Sequence, residues 1–265
     1  MSIVRPAAVA GRFYSADSHS LRQVVEEYLQ QGRLVHPPSK TPPKAIIVPH
    51  AGYEFSGPVA GTAYAQLDGG CGVIERVVLI GPAHYVGFQG LAVCDADYFS
   101  SPLGAVPVDT ASVARLLELD QVVSLNAAHA PEHSLEVQIP FLQVELGEFS
   151  LVPIAVGQAA DEEVVEVLDL LWGGAETLLV VSSDLSHYHD YATAQRIDRQ
   201  TTRLIETLSS DDITGGRACG HAGISALLRI AKRRRLNVRA IDLRNSGDTA
   251  GPRDQVVGYG AYIIE

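Results

Sequence analysis

The chain has 265 residues, 46% of them hydrophobic, and a formal net charge of -11 at pH 7. This length and apolar content fit one large α/β domain, and because no Pro/Gly/Ser-rich linker divides the chain, we expect a single domain over residues 1–265. A chain this acidic is a poor general binder of nucleic acid or of anionic membranes, so we expect neither as a partner.

Cysteine usage and apolar runs predict the compartment. The three cysteines are an odd number and too few for a disulfide framework. The first residues lack a long apolar stretch, and nowhere do about 18 consecutive apolar residues occur, so neither a secretory signal nor a membrane span is expected. We therefore expect a cytoplasmic protein whose thiols are free to act as ligands or nucleophiles.

Hydrophobic periodicity predicts helices and strands that alternate along the chain. The predicted elements are helix 18–31, strand 45–49, helix 56–67, strand 76–81, short strands near 91–94, 105–108 and 122–125, helix 109–118, helix 133–146, strand 151–156, helix 161–172, strand 177–182, helices 190–208 and 220–235, and strands 236–242 and 256–263. Such alternation predicts an α/β fold with a largely parallel or mixed central sheet and helices on both faces. Pro140 should bend the helix that contains it.

Three of the apolar strands deliver imidazole or carboxylate groups where they end. These are strand 45–49 with His50, strand 76–81 with His84, and strand 177–182 with Asp184 and His187. In open α/β sheets, ligands bind beyond the carboxyl ends of the strands. If the three strands are parallel neighbours, the four side chains converge at one edge of the sheet. A structural alternative for the last segment is that Asp184 or Ser186 caps the next helix.

Two histidines and a further donor at one edge predict a metal site, because neutral imidazole suits iron, copper and zinc. Cys219 is the candidate third ligand. It precedes the predicted helix 220–235, whose N-terminal amides should lower the pKa of the thiol, and thiolate is the form that binds metal. Taken alone, Cys219 is equally well explained as a small buried apolar residue.

A second histidine-rich segment, 128–143, places His133 between Glu132 and Glu136. One interpretation is a solvated helix start, with both acids on one face where the helix dipole favours them. The other makes His133 a catalytic group that supports the metal ligands or binds substrate. The sequence leaves both open. The remaining interpretations are surface positions for His19, His36, His189 and His221, and a turn or a binder of polar substrate groups for the loop 245–251.

Seven motifs occur in order between residues 5 and 251: RPAAVAGRFYSAD, PHAGYEFSG, GPAHY, EHSLEVQIPFLQ, SSDLSHY, ACG and NSGDTAG. In these motifs the chain resembles the Memo family, whose bacterial members are often called AmmeMemoRadiSam system protein B. The family is similar in fold to class III (LigB-like) extradiol dioxygenases. The resemblance implies His50, His84 and Cys219 as ligands of an Fe(II) or Cu ion, with Zn as the alternative. It places Asp184 and His187 beside them.

The chain departs from the dioxygenase pattern at one ligand. Extradiol dioxygenases hold Fe(II) with two histidines and a carboxylate, whereas Cys219 takes the third place here. Thiolate is softer than carboxylate and is oxidised by oxygen chemistry, so the similarity in fold does not carry catechol dioxygenase activity with it. The family's usual arginine after Cys-Gly is replaced by His221.

Three functions remain open. The first is a metal-dependent redox enzyme, dioxygenase-like or oxidoreductase-like, that acts on a small molecule or protein while Asp184 and His187 move protons. The second is a binding module without chemistry, since animal family members are linked to phosphotyrosine-containing receptor segments. The third is a hydrolase with Cys219 as nucleophile, His187 as base and Asp184 as orienting group. Family gene neighbourhoods also imply an AMMECR-type protein and a radical SAM enzyme as partners.

Overall fold

A computed structural model of the chain describes residues 2–265. Its strands, in chain order, are β1 (Val4–Arg5), β2 (Ala45–Val48), β3 (Arg76–Pro82), β4 (Leu91–Val93), β5 (Tyr98–Ser101), β6 (Gly104–Pro107), β7 (Val122–Ser124), β8 (Ser150–Val156), β9 (Thr177–Ser182), β10 (His187–His189), β11 (Val238–Asn245) and β12 (Val256–Ile264). Its helices are α1 (Ser18–Val35), α2 (Tyr53–Tyr64), α3 (Thr110–Leu116), α4 (Asn126–His129), α5 (Ile139–Leu146), α6 (Asp161–Leu170), α7 (Tyr191–Glu206) and α8 (His221–Arg234). Short 3-10 turns lie at Ala65–Leu67, Glu136–Gln138, Ser210–Asp212 and Ser246–Asp248.

Across residues 2–265 the main sheet has nine strands, in the order β10-β12-β2-β9-β3-β8-β4-β7, with β11 also paired to β12. The central strands β2, β9, β3 and β8 run parallel to one another. By contrast, β12 is antiparallel to β2, and β4 is antiparallel to β8. A smaller sheet joins β1, β5 and β6. The predicted α/β fold with a mixed sheet is confirmed.

The central strands form because their residues are apolar on both faces. Every residue of β2 and of β9 is buried. Since successive side chains of a strand point to opposite faces, both faces of the sheet must be covered. Helix α2 packs against β2, and α8 packs against β3 and β9. The prediction of helices on both faces is confirmed.

The strand alignment that the candidate site requires is also confirmed. Strand β2 pairs in parallel with β9, and β9 pairs in parallel with β3. The carboxyl ends of the three strands therefore meet at one edge of the sheet. His50 follows β2, His84 follows β3 and Asp184 follows β9. Each of the three strands therefore places a polar residue at this edge of the sheet.

The predicted helix 133–146 is wrong in its first half. A 3-10 turn occupies Glu136–Gln138, and α5 begins only at Ile139. Pro140 lies in the first turn of α5, where a missing backbone amide costs no hydrogen bond. It therefore starts the helix, and the predicted bend does not occur.

Helix α2 begins before the predicted start at residue 56. The amide of Tyr53 donates to the carbonyl of Phe13 at 2.8 Å, which fixes the first turn. Pro58 then lies inside the helix and has no amide to donate to the carbonyl of Glu54. Because Glu54 is exposed, a water molecule can donate to its carbonyl instead.

Helices α1 and α2 pack closely because Gly61 has no side chain. A Cβ atom at Gly61 would lie 2.5 Å from the carbonyl oxygen of Tyr28, closer than van der Waals contact allows. We expect Gly61→Ala to lower the free energy of unfolding by about 1–3 kcal/mol, the usual cost of overpacking. Urea denaturation measures this. Gly87→Ala is the control, since nothing lies within 4 Å of its added Cβ, and an equal effect of both changes would contradict the packing argument.

Candidate metal centre

A cavity of about 860 Å³ opens at the carboxyl ends of β2, β3 and β9. Every side chain predicted for the site lines this one cavity, namely His50, His84, His133, Asp184, His187 and Cys219. Part of the polar loop after β11 reaches it as well, through Ser246 and Gly251. The convergence expected from the strand ends is therefore present.

Three of the histidines lie close enough to share one ion. One ring nitrogen from each of His50, His84 and His133 lies within 4.8 Å of the other two. The ring centroids of His84 and His133 are 4.7 Å apart, and that of His50 lies 5.2 Å and 5.4 Å from them. Among the described residues this group does not include Cys219, so the third imidazole comes from His133.

Hydrogen bonds fix the proton on His50. The hydroxyl of Ser182 donates its only proton to the carbonyl of Ser134 at 2.6 Å and accepts the side-chain amide of Gln138 at 3.0 Å. Its contact with Nδ1 of His50, at 2.8 Å, must therefore be one in which the ring N–H donates. This leaves Nε2 of His50 without a proton and available as a ligand.

A buried carboxylate fixes the proton on His84 in the same way. Glu132 is 1% exposed and accepts Nδ1–H of His84 at 2.9 Å and its backbone amide at 2.6 Å. Burial raises the pKa of Glu132, but the hydrogen bonds from His84 and Ser134 outweigh it and bring the pKa to about 2. The carboxylate therefore stays ionised, and Nε2 of His84 is the free nitrogen.

The solvated helix start is wrong for this segment. Glu132 and Glu136 are both buried, and Glu132 lies outside any helix, so the two acids do not share an exposed helical face. Glu132 also accepts the backbone amides of His133 and Ser134, both at 2.9 Å. A chain segment wrapped around a buried carboxylate takes the place of the predicted helical turn.

His133 is held by aromatic packing, and its Nδ1 lies 3.3 Å from a carboxylate oxygen of Glu132. Its ring centroid lies 4.7 Å from that of Phe13 and 5.8 Å from that of Tyr85. Its Nδ1 is buried and makes no hydrogen bond. Burial lowers the pKa of His133 and lowers that of His50 well below the ordinary histidine value. Both rings are therefore neutral at pH 7, the state in which imidazole binds metal.

Cys219 lies beside His50 at the turn before α8. Its Sγ is 3.3 Å from Nε2 of His50 and accepts the backbone amide of Asp184 at 3.2 Å. Because that Nε2 carries no proton, the thiol donates to it. The expected lowering of the thiol pKa is wrong: burial, helped by the Asp184 carboxylate, raises it to about 12, and the Gly220 amide at the helix start compensates only in part.

Asp184 forms a hydrogen bond with the backbone of His50. One carboxylate oxygen accepts the backbone amide of His50 at 2.7 Å, and the other lies 4.0 Å from its Nε2. Burial raises the pKa of Asp184. Among the described residues no hydrogen bond joins Asp184 to His187. The helix-capping alternative is wrong as well, because Asp190 caps α7 by accepting the amide of Thr193 at 3.0 Å.

His187 and His189 belong to β10, a strand that the sequence did not predict. They pair with Val257 and Val256 of β12 across an irregularity in register, and both line the cavity. His189 thus lies at the site, and its interpretation as a surface residue is wrong. A three-residue strand with a bulge gives no periodic signal by which it could have been found.

Comparison with known proteins shows the family of the chain. The family model described as Memo-like protein matches residues 5–263. The chain belongs to the Memo family. A MEMO1 family protein of Ignicoccus hospitalis is 36% identical over 98% of both chains. Those of Aquifex aeolicus and Thermotoga neapolitana are 34% and 31% identical, covering 98% and 99% of this chain and 99% and 100% of their own.

The family resemblance inferred from the motifs is therefore confirmed over nearly the whole chain. In this Memo family member, no helix within residues 2–265 is long and apolar enough to cross a membrane. The site residues also fit a metal ion. His50 and His84 each engage Nδ1 in a hydrogen bond, which leaves Nε2 as the nitrogen for an ion, and Nδ1 of His133 lies 3.3 Å from the Glu132 carboxylate.

Glu132 should matter for metal affinity although it is not itself in the group of three. Replacing it with glutamine keeps the shape but removes the charge, and the new NH2 group would face one of the N–H groups of His84, His133 or Ser134. We expect Glu132→Gln to weaken metal binding by about 10–100-fold, as loss of a ligand's supporting acceptor does.

Competition with a chelator measures this affinity. Glu163→Gln is the matched control, because Glu163 also accepts a backbone amide, that of Ala160 at 2.7 Å, but at the start of α6. An unchanged affinity in Glu132→Gln would show that the carboxylate does not support the ligand.

Proposed function

We propose that the chain is a metal-dependent redox protein in which His50, His84 and His133 hold one Fe(II) or Cu ion. The observation that carries the proposal is the set of three imidazole nitrogens within 4.8 Å of one another at the cavity wall. Imidazole is a preferred ligand of iron, copper and zinc. Three protein ligands leave further positions for a substrate or a small reactant.

Cys219 can supply a further donor to the ion. Its Sγ lies 3.3 Å from Nε2 of His50, and atoms bound to one ion lie no more than about 4.4 Å apart if the bonds are about 2.1 Å to nitrogen and 2.3 Å to sulfur. A thiolate beside imidazoles suits Cu(I), iron and zinc. Of these, copper or iron would supply electron-transfer or dioxygen chemistry to a molecule in the cavity.

The chain's own residues have separate tasks in this proposal. Asp184 holds the backbone of His50 in place and, because burial raises its pKa, retains a proton more readily than an exposed carboxyl. His187 faces the same cavity from β10 and is the residue to which the proposal assigns proton transfer. The cavity of about 860 Å³ accommodates a small molecule or one side chain of a protein substrate.

A phosphotyrosine-binding module is less well supported. Among the described residues no lysine or arginine lines the cavity, and Asp184 contributes a carboxylate to it. A phosphate group would therefore meet no lysine or arginine side chain there, and the net charge of -11 adds to the repulsion. A ligand without negative charge remains compatible with a pure binding function.

The cysteine-hydrolase alternative is also less well supported. A thiol whose pKa burial raises to about 12 is a poor nucleophile at neutral pH. Its Sγ faces Nε2 of His50, which differs from the arrangement in which His187 acts as base and Asp184 orients it. Association with an AMMECR-type protein and a radical SAM enzyme stays a prediction from the family resemblance.

The test of the proposal is anaerobic metal loading followed by redox cycling. We expect about one Fe(II) or Cu per chain by elemental analysis, and reversible oxidation and reduction of the bound ion followed by EPR. Nitric oxide added to the Fe(II) form should give a high-spin iron–nitrosyl signal, which requires an open coordination position. A chain that takes up zinc alone, or whose bound ion does not cycle, would contradict a redox function.

A further inference from the structure

The N-terminal motif, residues 5–14, contacts the segment 129–136, which carries Glu132 and His133. Arg5 is 6% exposed, and its guanidinium donates to the carbonyl of Glu132 at 2.7 Å and to that of His129 at 2.9 Å. Its Nε donates to the same His129 carbonyl at 3.1 Å. The remaining arm forms an ion pair with buried Glu136. One side chain thus contacts the segment 129–136 at both ends and in the middle.

The same motif holds Glu136 from a second side. The carboxylate accepts the backbone amides of Ala8 at 2.7 Å and Val9 at 2.9 Å, and the hydroxyl of Tyr14 at 2.6 Å. Phe13 completes the contact by packing its ring on His133. The motif therefore contacts the backbone, the terminal acid and the histidine ring of the segment.

We infer that Arg5 is a positioning residue of the metal site: it fixes the segment 129–136 so that Glu132 meets His84 and His133 faces the shared ion. The inference rests on the proposed metal site. Residues 130–135 form neither helix nor strand, so no regular hydrogen-bond ladder holds them. The guanidinium bond to the Glu132 carbonyl fixes the residue whose side chain binds Nδ1–H of His84.

Lysine cannot replace Arg5 in this role. A guanidinium presents five N–H donors in a planar fork, whereas an ammonium is a compact point charge. Arg5→Lys should keep the charge that balances Glu136 but lose the simultaneous bonds to the carbonyls of His129 and Glu132. Relative to Arg5→Ala, the Arg5→Lys variant should therefore regain more of the lost stability than of the lost metal affinity.

The experiment compares Arg5→Ala and Arg5→Lys with Arg33→Ala in the full-length chain. Arg33 also forms an ion pair between distant elements, with both oxygens of Glu145 at 2.8 and 2.9 Å, but does not contact the segment 129–136. We expect both Arg5 variants to bind Fe(II) about 10–100-fold more weakly than wild type, by chelator competition under conditions where all are folded. Arg33→Ala should bind like wild type.

A metal-free readout separates failure of this inference from failure of the metal site. Histidine ring resonances of the metal-free chain should shift or broaden for His84 and His133 in Arg5→Ala, while those of His36 stay in place. Unchanged His84 and His133 signals, or wild-type Fe(II) affinity in Arg5→Ala, would overturn the positioning role. If wild type binds no metal but the ring signals move selectively, positioning holds and the proposed function fails.

Discussion

His50→Ala should remove nearly all of the metal from the anaerobically loaded chain. His50 belongs to the group of three imidazoles, and its Nε2 also lies 3.3 Å from the Sγ of Cys219, so His50 contributes whichever donor completes the site. We expect the content to fall from about one ion per chain to near zero by elemental analysis. His19→Ala is the control, because His19 is exposed on α1. Full occupancy in His50→Ala would rule out this site.

Two further variants decide the third ligand. Because His133 is in the group of three and Cys219 is not, we expect His133→Ala to lose most of the metal and Cys219→Ala to retain part of it with weakened affinity. The family resemblance implies the opposite order, with Cys219 as the ligand. An empty Cys219→Ala beside a loaded His133→Ala would therefore establish the thiolate as third ligand and His133 as a supporting group.

The part of the site that lies at strand ends was predictable from the sequence. Strands buried on both faces show as short apolar runs, and the polar residues that follow them must reach the same edge when the strands are parallel. His50, His84 and Asp184 were found in this way. The prediction needed no long-range contact other than the sheet itself.

The part that depends on distant partners was not predictable. An exposed helical face was one of two interpretations left open for Glu132 and Glu136, because their spacing is helical and nothing near them in the sequence reveals burial. Glu136 is buried because Arg5, 131 residues away, balances its charge. The predicted direction of the Cys219 pKa shift was wrong for a related reason. The sequence shows the helix start that follows the thiol, but not the burial that raises the pKa.

Glu136→Ala should be among the most destabilising single changes outside the central sheet. The carboxylate is 0% exposed and accepts from four donors: the guanidinium of Arg5, the amides of Ala8 and Val9, and the hydroxyl of Tyr14. Removing it leaves a buried guanidinium without its counter-charge and the other donors without an acceptor. Loss of one partner of a buried ion pair costs about 3–5 kcal/mol.

Guanidinium chloride denaturation, followed by the fluorescence of the single tryptophan Trp172, measures the loss of unfolding free energy. Glu162→Ala is the control, since its pair with Arg229 is at the surface, where such pairs contribute about 0–1 kcal/mol. The double variant Arg5→Met/Glu136→Leu should be more stable than Glu136→Ala, because it removes both charges together. If Glu136→Ala unfolds like its control, the buried pair does not hold the N-terminal motif to the segment that carries His133.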